Sequence, residues 1–247
     1  MYRTLRQLVF LLLLVSGNAC PDEIRVAVAS NFIGTIEALA EQFEQATDHK
    51  VTLITGSSGK HYAQIHNGAP YDLFFSADER RPRLLEEAGD TISGHRFTYA
   101  VGKLVLWSPN ESLIDEGGKV LEQGEFRHLS IANPKLAPYG KAAQEFLQSR
   151  RLWQQLRSKM VRGENIGQAF QFVRSGNADL GFVAYSQIKR PGKAISGSYW
   201  EVPQRLHTPI AQQAVLLRES AAARDFLKYV KSDAAQTLIH AHGYATP

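Results

Sequence analysis

From about residue 24 onward, short apolar runs alternate with stretches in which apolar side chains recur every three or four positions. Ile24 to Ala29 (IRVAVA) reads as a strand, and Thr35 to Gln45 places Ile36, Leu39, Ala40 and Phe43 on one helical face. Val51 to Ile54 predicts a second strand, Lys60 to His66 a short helix, Asp72 to Phe75 a third strand and Glu79 to Ala88 another helix. Arg96 to Leu106 is a longer extended stretch, long enough to cross between two lobes. A second round follows, with strands at Leu129 to Ala132, Leu180 to Ala184 and Ala214 to Leu217. Its helices are expected at Gly140 to Ser149, Gly167 to Arg174, Ala221 to Val230 and Ala234 to Ala241. Short strands separated by helices of this length indicate an α/β protein with parallel sheets. Two such rounds fit two lobes and a cleft; the pattern alone also accommodates one continuous doubly wound domain.

The first twenty residues break the pattern. Arg3 and Arg6 precede the apolar run Leu8 to Val15, and small residues follow through Ala19. This is the grammar of a secretory signal peptide over residues 1–19, and its apolar run of eight is too short to span about 30 Å of hydrocarbon. Export to the periplasm is the expectation. Cys20, the single cysteine, excludes an intramolecular disulfide. It stands where a lipid anchor would attach, although Gly17-Asn18-Ala19 matches a lipoprotein signal poorly.

The chain has 247 residues and a formal charge of +4. Removing residues 1–19 takes away two arginines and no acid, so the balance falls to +2. That balance, with no aromatic-basic alternation around Arg80 to Arg83 or Arg150-Arg151, argues against a nucleic-acid partner.

Small polar residues collect where strands give way to helices. The junctions are Ala29-Ser30-Asn31, Thr55-Gly56-Ser57-Ser58-Gly59, Asn133-Pro134 with Pro138-Tyr139-Gly140, and Gly163-Glu164-Asn165-Ile166-Gly167. In open α/β sheets ligands sit beyond the carboxyl ends of strands, and helix N-termini leave N–H groups that attract anions. Four converging junctions would make a cage of neutral donors suited to a small tetrahedral oxyanion. The plainer alternative is that these serines and asparagines are helix N-caps. Gly56-Ser57-Ser58-Gly59-Lys60 is too short for a nucleotide phosphate loop, and His61 follows where Ser or Thr would be needed. Ser57 or Ser58 as a nucleophile, in an exported serine hydrolase, would need a histidine and an acid supplied by the fold, and no G-x-S-x-G elbow is present. The histidines are scattered, and His240-x-His242 is too short a tract for a cation site.

The same junctions carry a resemblance to the periplasmic molybdate-binding proteins of bacterial ABC transporters. It rests on Val26 to Phe32 (VAVASNF), Gly68 to Asp78 (GAPYDLFFSAD), Gly94 to Ala100, Ser130 to Pro134, Ala137 to Gly140 and Ser175 to Val183, in that order. The resemblance implies an α/β periplasmic-binding-protein fold, with lobe one over residues 21–101 and 205–247 and lobe two over 102–204. It implies capture of molybdate or tungstate by a monomer, without a cofactor, and delivery to the permease subunits of the transporter. Other oxyanions, sulfate or phosphate, are the alternatives. Residue by residue it implies ligand positions at Asn31, Ser58, Tyr139 and Ile166, the last two through backbone N–H, with Ser30 a weaker candidate. Some members carry a ligand-contacting tyrosine at the position matching Ala184; here the tyrosine is Tyr185, which a regular strand would turn to the other face.

Overall fold

The computed structural model describes residues 22–245. The signal-peptide and Cys20 expectations fall outside them. Among these residues the chain forms two five-stranded sheets. In the first lobe β1 (Glu23–Ala29), α1 (Ile33–Ala46), β2 (Lys50–Gly56), α2 (Ser58–His66), β3 (Leu73–Phe75), α3 (Arg80–Ala88) and β4 (Phe97–Gly102) follow in turn. Only Lys103 separates β4 from β5 (Leu104–Ser108), which already belongs to the other sheet. The second lobe continues with α4 (Val120–Gln123), β6 (Leu129–Ala132), α5 (Pro138–Ser149), α6 (Leu152–Gln155), β7 (Met160–Gly163), α7 (Ile166–Arg174), β8 (Leu180–Ala184), α8 (Tyr185–Ile188) and β9 (Ser198–Glu201). The chain then returns to the first sheet through β10 (Ile210–Leu216), α9 (Ala221–Val230) and α10 (Asp233–Ala241).

The strand orders are β2-β1-β3-β10-β4 and β7-β6-β8-β5-β9. The two lobes therefore repeat one plan. In each, two βα units run parallel, and the fourth position is filled by the strand that has just crossed from the other lobe. That strand is antiparallel to its neighbours: β10 to β3 and β4, and β5 to β8 and β9. The expectation of parallel sheets is corrected here. A crossing strand arrives without a right-handed βαβ connection in its own sheet, so nothing constrains it to run parallel. The edge strands β7 and β9 escape the sequence pattern because they are short and mix polar with apolar residues.

Burial follows strand alternation. Val26 and Val28 of β1 pack with Ile36, Leu39 and Phe43 of α1 and with Phe226 of α9. Ala27, between them, faces Ile65 of α2 and Leu85 of α3. In the second lobe Leu104 and Leu106 of β5 join Phe146 of α5, whereas Val105 and Trp107 join Val173 of α7. Each sheet is covered on both faces, so the carboxyl ends of its central strands are where backbone polar groups open toward a ligand. No helix among the described residues is long and apolar enough to cross a membrane.

Candidate anion-binding site

The carboxyl ends of β1 and β2 face those of β6 and β7 across the cleft. Between them lies a small cavity lined by Ser30, Asn31, Ser57, Ser58, Tyr139, Asn165, Ile166 and small apolar neighbours. Every lining residue is uncharged.

The way the surrounding helices are capped leaves the donors. Ser57 caps α2 by accepting from Lys60 N, and Asn165 caps α7 by accepting from Gln168 N. The N-cap alternative thus holds for these two residues. A cap satisfies the third N–H of a helix and leaves the first free, here those of Ser58 and Ile166. The α5 helix has Pro138 at its first position and no side-chain cap, so its first available N–H is that of Tyr139. The N–H of Asn31, between β1 and α1, completes a set of four with no acceptor among the described residues.

Two hydroxyls add to it. Ser30 Oγ accepts from Gly167 N at 3.0 Å, and Ser58 Oγ accepts from Ala77 N at 2.9 Å. Each hydroxyl is thereby held by its lone pair, and its proton is left to donate. Ser30, Asn31, Ser58, Tyr139 and Ile166 are all at most 7% exposed. In such surroundings a donor is electrostatically stronger than in water.

The lobes touch around this cavity. Gly59 N donates to Leu136 O at 2.9 Å, and Arg81, itself paired with Asp78, donates to Lys135 O at 3.1 Å. Lys60 and Glu164 pair across the rim at 3.4 Å, with both side chains substantially exposed. This pair neutralises its own charge and contributes little stability. Behind the cavity the Tyr139 ring passes into lobe one, where its hydroxyl meets Gln212 and stands against Gly102. Burial pushes the hydroxyls of Tyr139 and Tyr99 well above the usual tyrosine range, so both stay protonated.

Tyr185 is not brought to the cavity. The strand ends at Ala184, and the next side chain turns to the other face. The Tyr185 ring packs at 5.9 Å from that of Tyr199, with Lys103 Nζ 5.7 Å from its centroid. Residues that sequence reasoning missed lie behind the cage. Gln187 donates to the Ile166 carbonyl, and Gln212 bonds to Asn31. The signal for Gln212 was legible: two glutamines interrupt the buried strand IAQQAVL. A bulge between Gln212 and Gln213 sends the first to Asn31 and the second to Thr98 and Arg96.

His61 sits under the Ser57–Ser58 turn, where a Cβ on Gly56 would stand 2.8 Å from its Nε2. Its ring nitrogens meet Gln64 Oε1 and the Val28 carbonyl, not a serine hydroxyl. Burial lowers its pKa below the ordinary 6.5. The unfolded chain therefore takes up this proton at a higher pH than the folded one. Stability is full above about pH 6.5 and falls as pH drops through that value toward the lowered pKa. Denaturant titrations from pH 8 to 5 are expected to show this loss in wild type and a flatter profile in His61→Gln.

The model of the family described as bacterial extracellular solute-binding protein matches residues 24–245. The chain is 49% identical to the molybdate-binding protein ModA of Azotobacter vinelandii, over 94% of this chain and 93% of that one. It is 45% identical to ModA of Rhodobacter capsulatus, over 99% and 98%. Among solved structures, the periplasmic molybdate-binding protein of Azotobacter vinelandii superposes with a TM-score of 0.88 at 45% identity, covering 91% of this chain and 99% of that one. With this fold, this repeated strand order and this cleft, the chain belongs to the bacterial extracellular solute-binding proteins.

Proposed function

We propose that the protein captures molybdate in the periplasm and delivers it to the permease subunits of an ABC transporter, with tungstate accepted as a near-equivalent. The observation that carries this reading is the neutral, two-sided cage. Asn31, Ser58 and Ser30 approach from one lobe, and the N–H groups of Tyr139 and Ile166 from the other. Oxyanions are held by such N–H groups through their dipoles, with no formal countercharge needed. The N-terminal ends of α2, α5 and α7 all open on the cavity. The two relatives above 40% identity that carry the molybdate-binding name extend along nearly the whole chain, which supports the choice of anion.

The chain acts as a two-state clamp. The anion bridges donors that are brought together only when the lobes close, so it favours the closed form. The closed pair of lobes, a monomer in this reading, offers one combined surface to the transporter. Phosphate is disfavoured because its remaining proton at neutral pH needs an acceptor, and no carboxylate lines the cavity.

The test is calorimetric titration of the mature protein with molybdate, in buffer free of phosphate and sulfate, then with excess sulfate. One-to-one binding at about micromolar Kd or tighter, roughly −8 kcal/mol, that survives sulfate is the expected result. No heat with molybdate or tungstate at several temperatures would overturn the reading.

A further inference from the structure

Among the described residues, Asn31 Oδ1 is the one buried side-chain polar atom without a hydrogen-bond partner. The other end of that amide is fully engaged. Nδ2 donates to Gln212 Oε1 at 2.8 Å and to the Tyr244 hydroxyl at 3.0 Å. Gln212, wholly buried, donates from Nε2 to the Tyr139 hydroxyl at 3.2 Å, and its Oε1 also lies 3.0 Å from the Tyr99 hydroxyl. In this arrangement the Tyr139 proton has no acceptor among the described residues.

A carboxamide fills the same space either way round, and hydrogen bonding alone selects which end is nitrogen. Reversing both amides removes the two defects at once. Gln212 Nε2 then donates to Asn31 Oδ1 and to the Tyr99 hydroxyl, whose own proton goes to the Ser76 carbonyl at 3.1 Å. The Tyr139 hydroxyl donates to Gln212 Oε1. The Tyr244 proton is shared between Asn31 Oδ1 and the Asn31 carbonyl, 2.8 Å away, which keeps Ser186 Oγ as a second donor at 3.1 Å. Both N–H bonds of Asn31 are released toward the cavity that Asn31 lines.

We propose that Gln212 is the positioning residue that presents Asn31 as a donor to the anion, with both amides standing in the reversed sense when the anion is bound. This rests on the functional reading above. With an oxyanion in the cavity, an amide oxygen facing it is repelled and the N–H groups are attracted. The anion thus prefers the reversed sense. The Tyr139 hydroxyl comes from lobe two and Gln212 from lobe one, so the acceptor–donor match that holds the reversed pair forms only on closure.

Two measurements test this. Neutron diffraction on the deuterated complex with molybdate distinguishes ND₂ from O at each amide. ND₂ of Asn31 toward the anion and ND₂ of Gln212 toward Asn31 are expected; the opposite sense at either amide overturns the proposal. In solution, a cycle of Gln212→Met, Asn31→Ala and the double variant is titrated with molybdate. Gln212→Met is expected to weaken binding about tenfold, and to have little further effect once Asn31 is alanine. Additive losses would assign Gln212 a merely structural role. A wild type that fails to bind molybdate sinks the functional reading itself, whereas a wild type that binds with unreversed amides sinks only this inference.

Discussion

Gly59→Ala is expected to weaken molybdate binding by about tenfold to a hundredfold while leaving the unfolding temperature of the ligand-free protein unchanged or slightly higher. Gly59 lies in the first turn of α2, with ordinary helical backbone, so alanine suits its own lobe and gains helix propensity. Its environment on the far side is the obstacle. A Cβ there would stand 2.9 Å from Leu136 O, 3.0 Å from Leu136 Cα and 3.0 Å from Arg81 Nη2. Leu136 belongs to the loop that leads into α5, and its carbonyl accepts from Gly59 N. The arginine can shift, but the backbone of lobe two can yield only by drawing away, and it carries the Tyr139 N–H with it. The added methyl therefore penalises the closed form alone. Gly140→Ala is the instructive contrast. There the Cβ meets Ala132 and Asn133 backbone inside one lobe, so stability falls as well as affinity. Calorimetry and a thermal melt on Gly59→Ala separate the two effects; wild-type affinity would show that this contact does not limit closure.

A graded loss is expected at Ser58. Ser58→Ala removes one hydroxyl donor to a charged ligand, worth about 1.5–3 kcal/mol, or roughly tenfold to a hundredfold in Kd. The Ala77 N–H loses its partner in the same change. Ser58→Pro removes the backbone N–H as well, and brings the loss to roughly a thousandfold or more. Proline is suited to the first position of a helix, and Ser57 before it already has the extended backbone, φ −83° and ψ 146°, that a following proline requires. The proline variant should therefore fold, which circular dichroism checks. If Ser58→Pro binds no more weakly than Ser58→Ala, the N–H of Ser58 is not one of the anion's donors. Lys231→Ala, whose ammonium lies over Phe97 in lobe one, serves as the control expected to bind as wild type.

Much of this architecture is local and so was legible in the chain. The alternation of Val26, Ala27 and Val28, and the helical spacing of Ile36, Leu39 and Phe43, specify buried strands and one-sided helices without reference to anything distant. The helix starts at Ser58, Pro138 and Ile166, one or two residues ahead of those read from periodicity, are local too, because capping is decided by residues a few positions apart. Local reading marked these junctions as candidate donor sites; the family resemblance then singled out Ser58, Tyr139 and Ile166 within them, and supplied the tyrosine position against which the one-residue step to Tyr185 could be judged. The direction of β5 and β10 was not legible. Pairing across a sheet depends on which strand the returning chain meets, and apolar periodicity is the same in both directions.

The sequence by itself determined the local elements and the free N–H groups at their ends, since capping and periodicity act within a few residues. Only the tertiary structure decided how those groups are used. It turned Ser30 toward Gly167 of the other lobe, set Gly59 against Leu136, and placed Gln212 between Asn31 and Tyr139. The residues of each of those contacts lie at least 73 positions apart along the chain. No local pattern encodes such pairs, because they form only when the two sheets have been built and brought face to face.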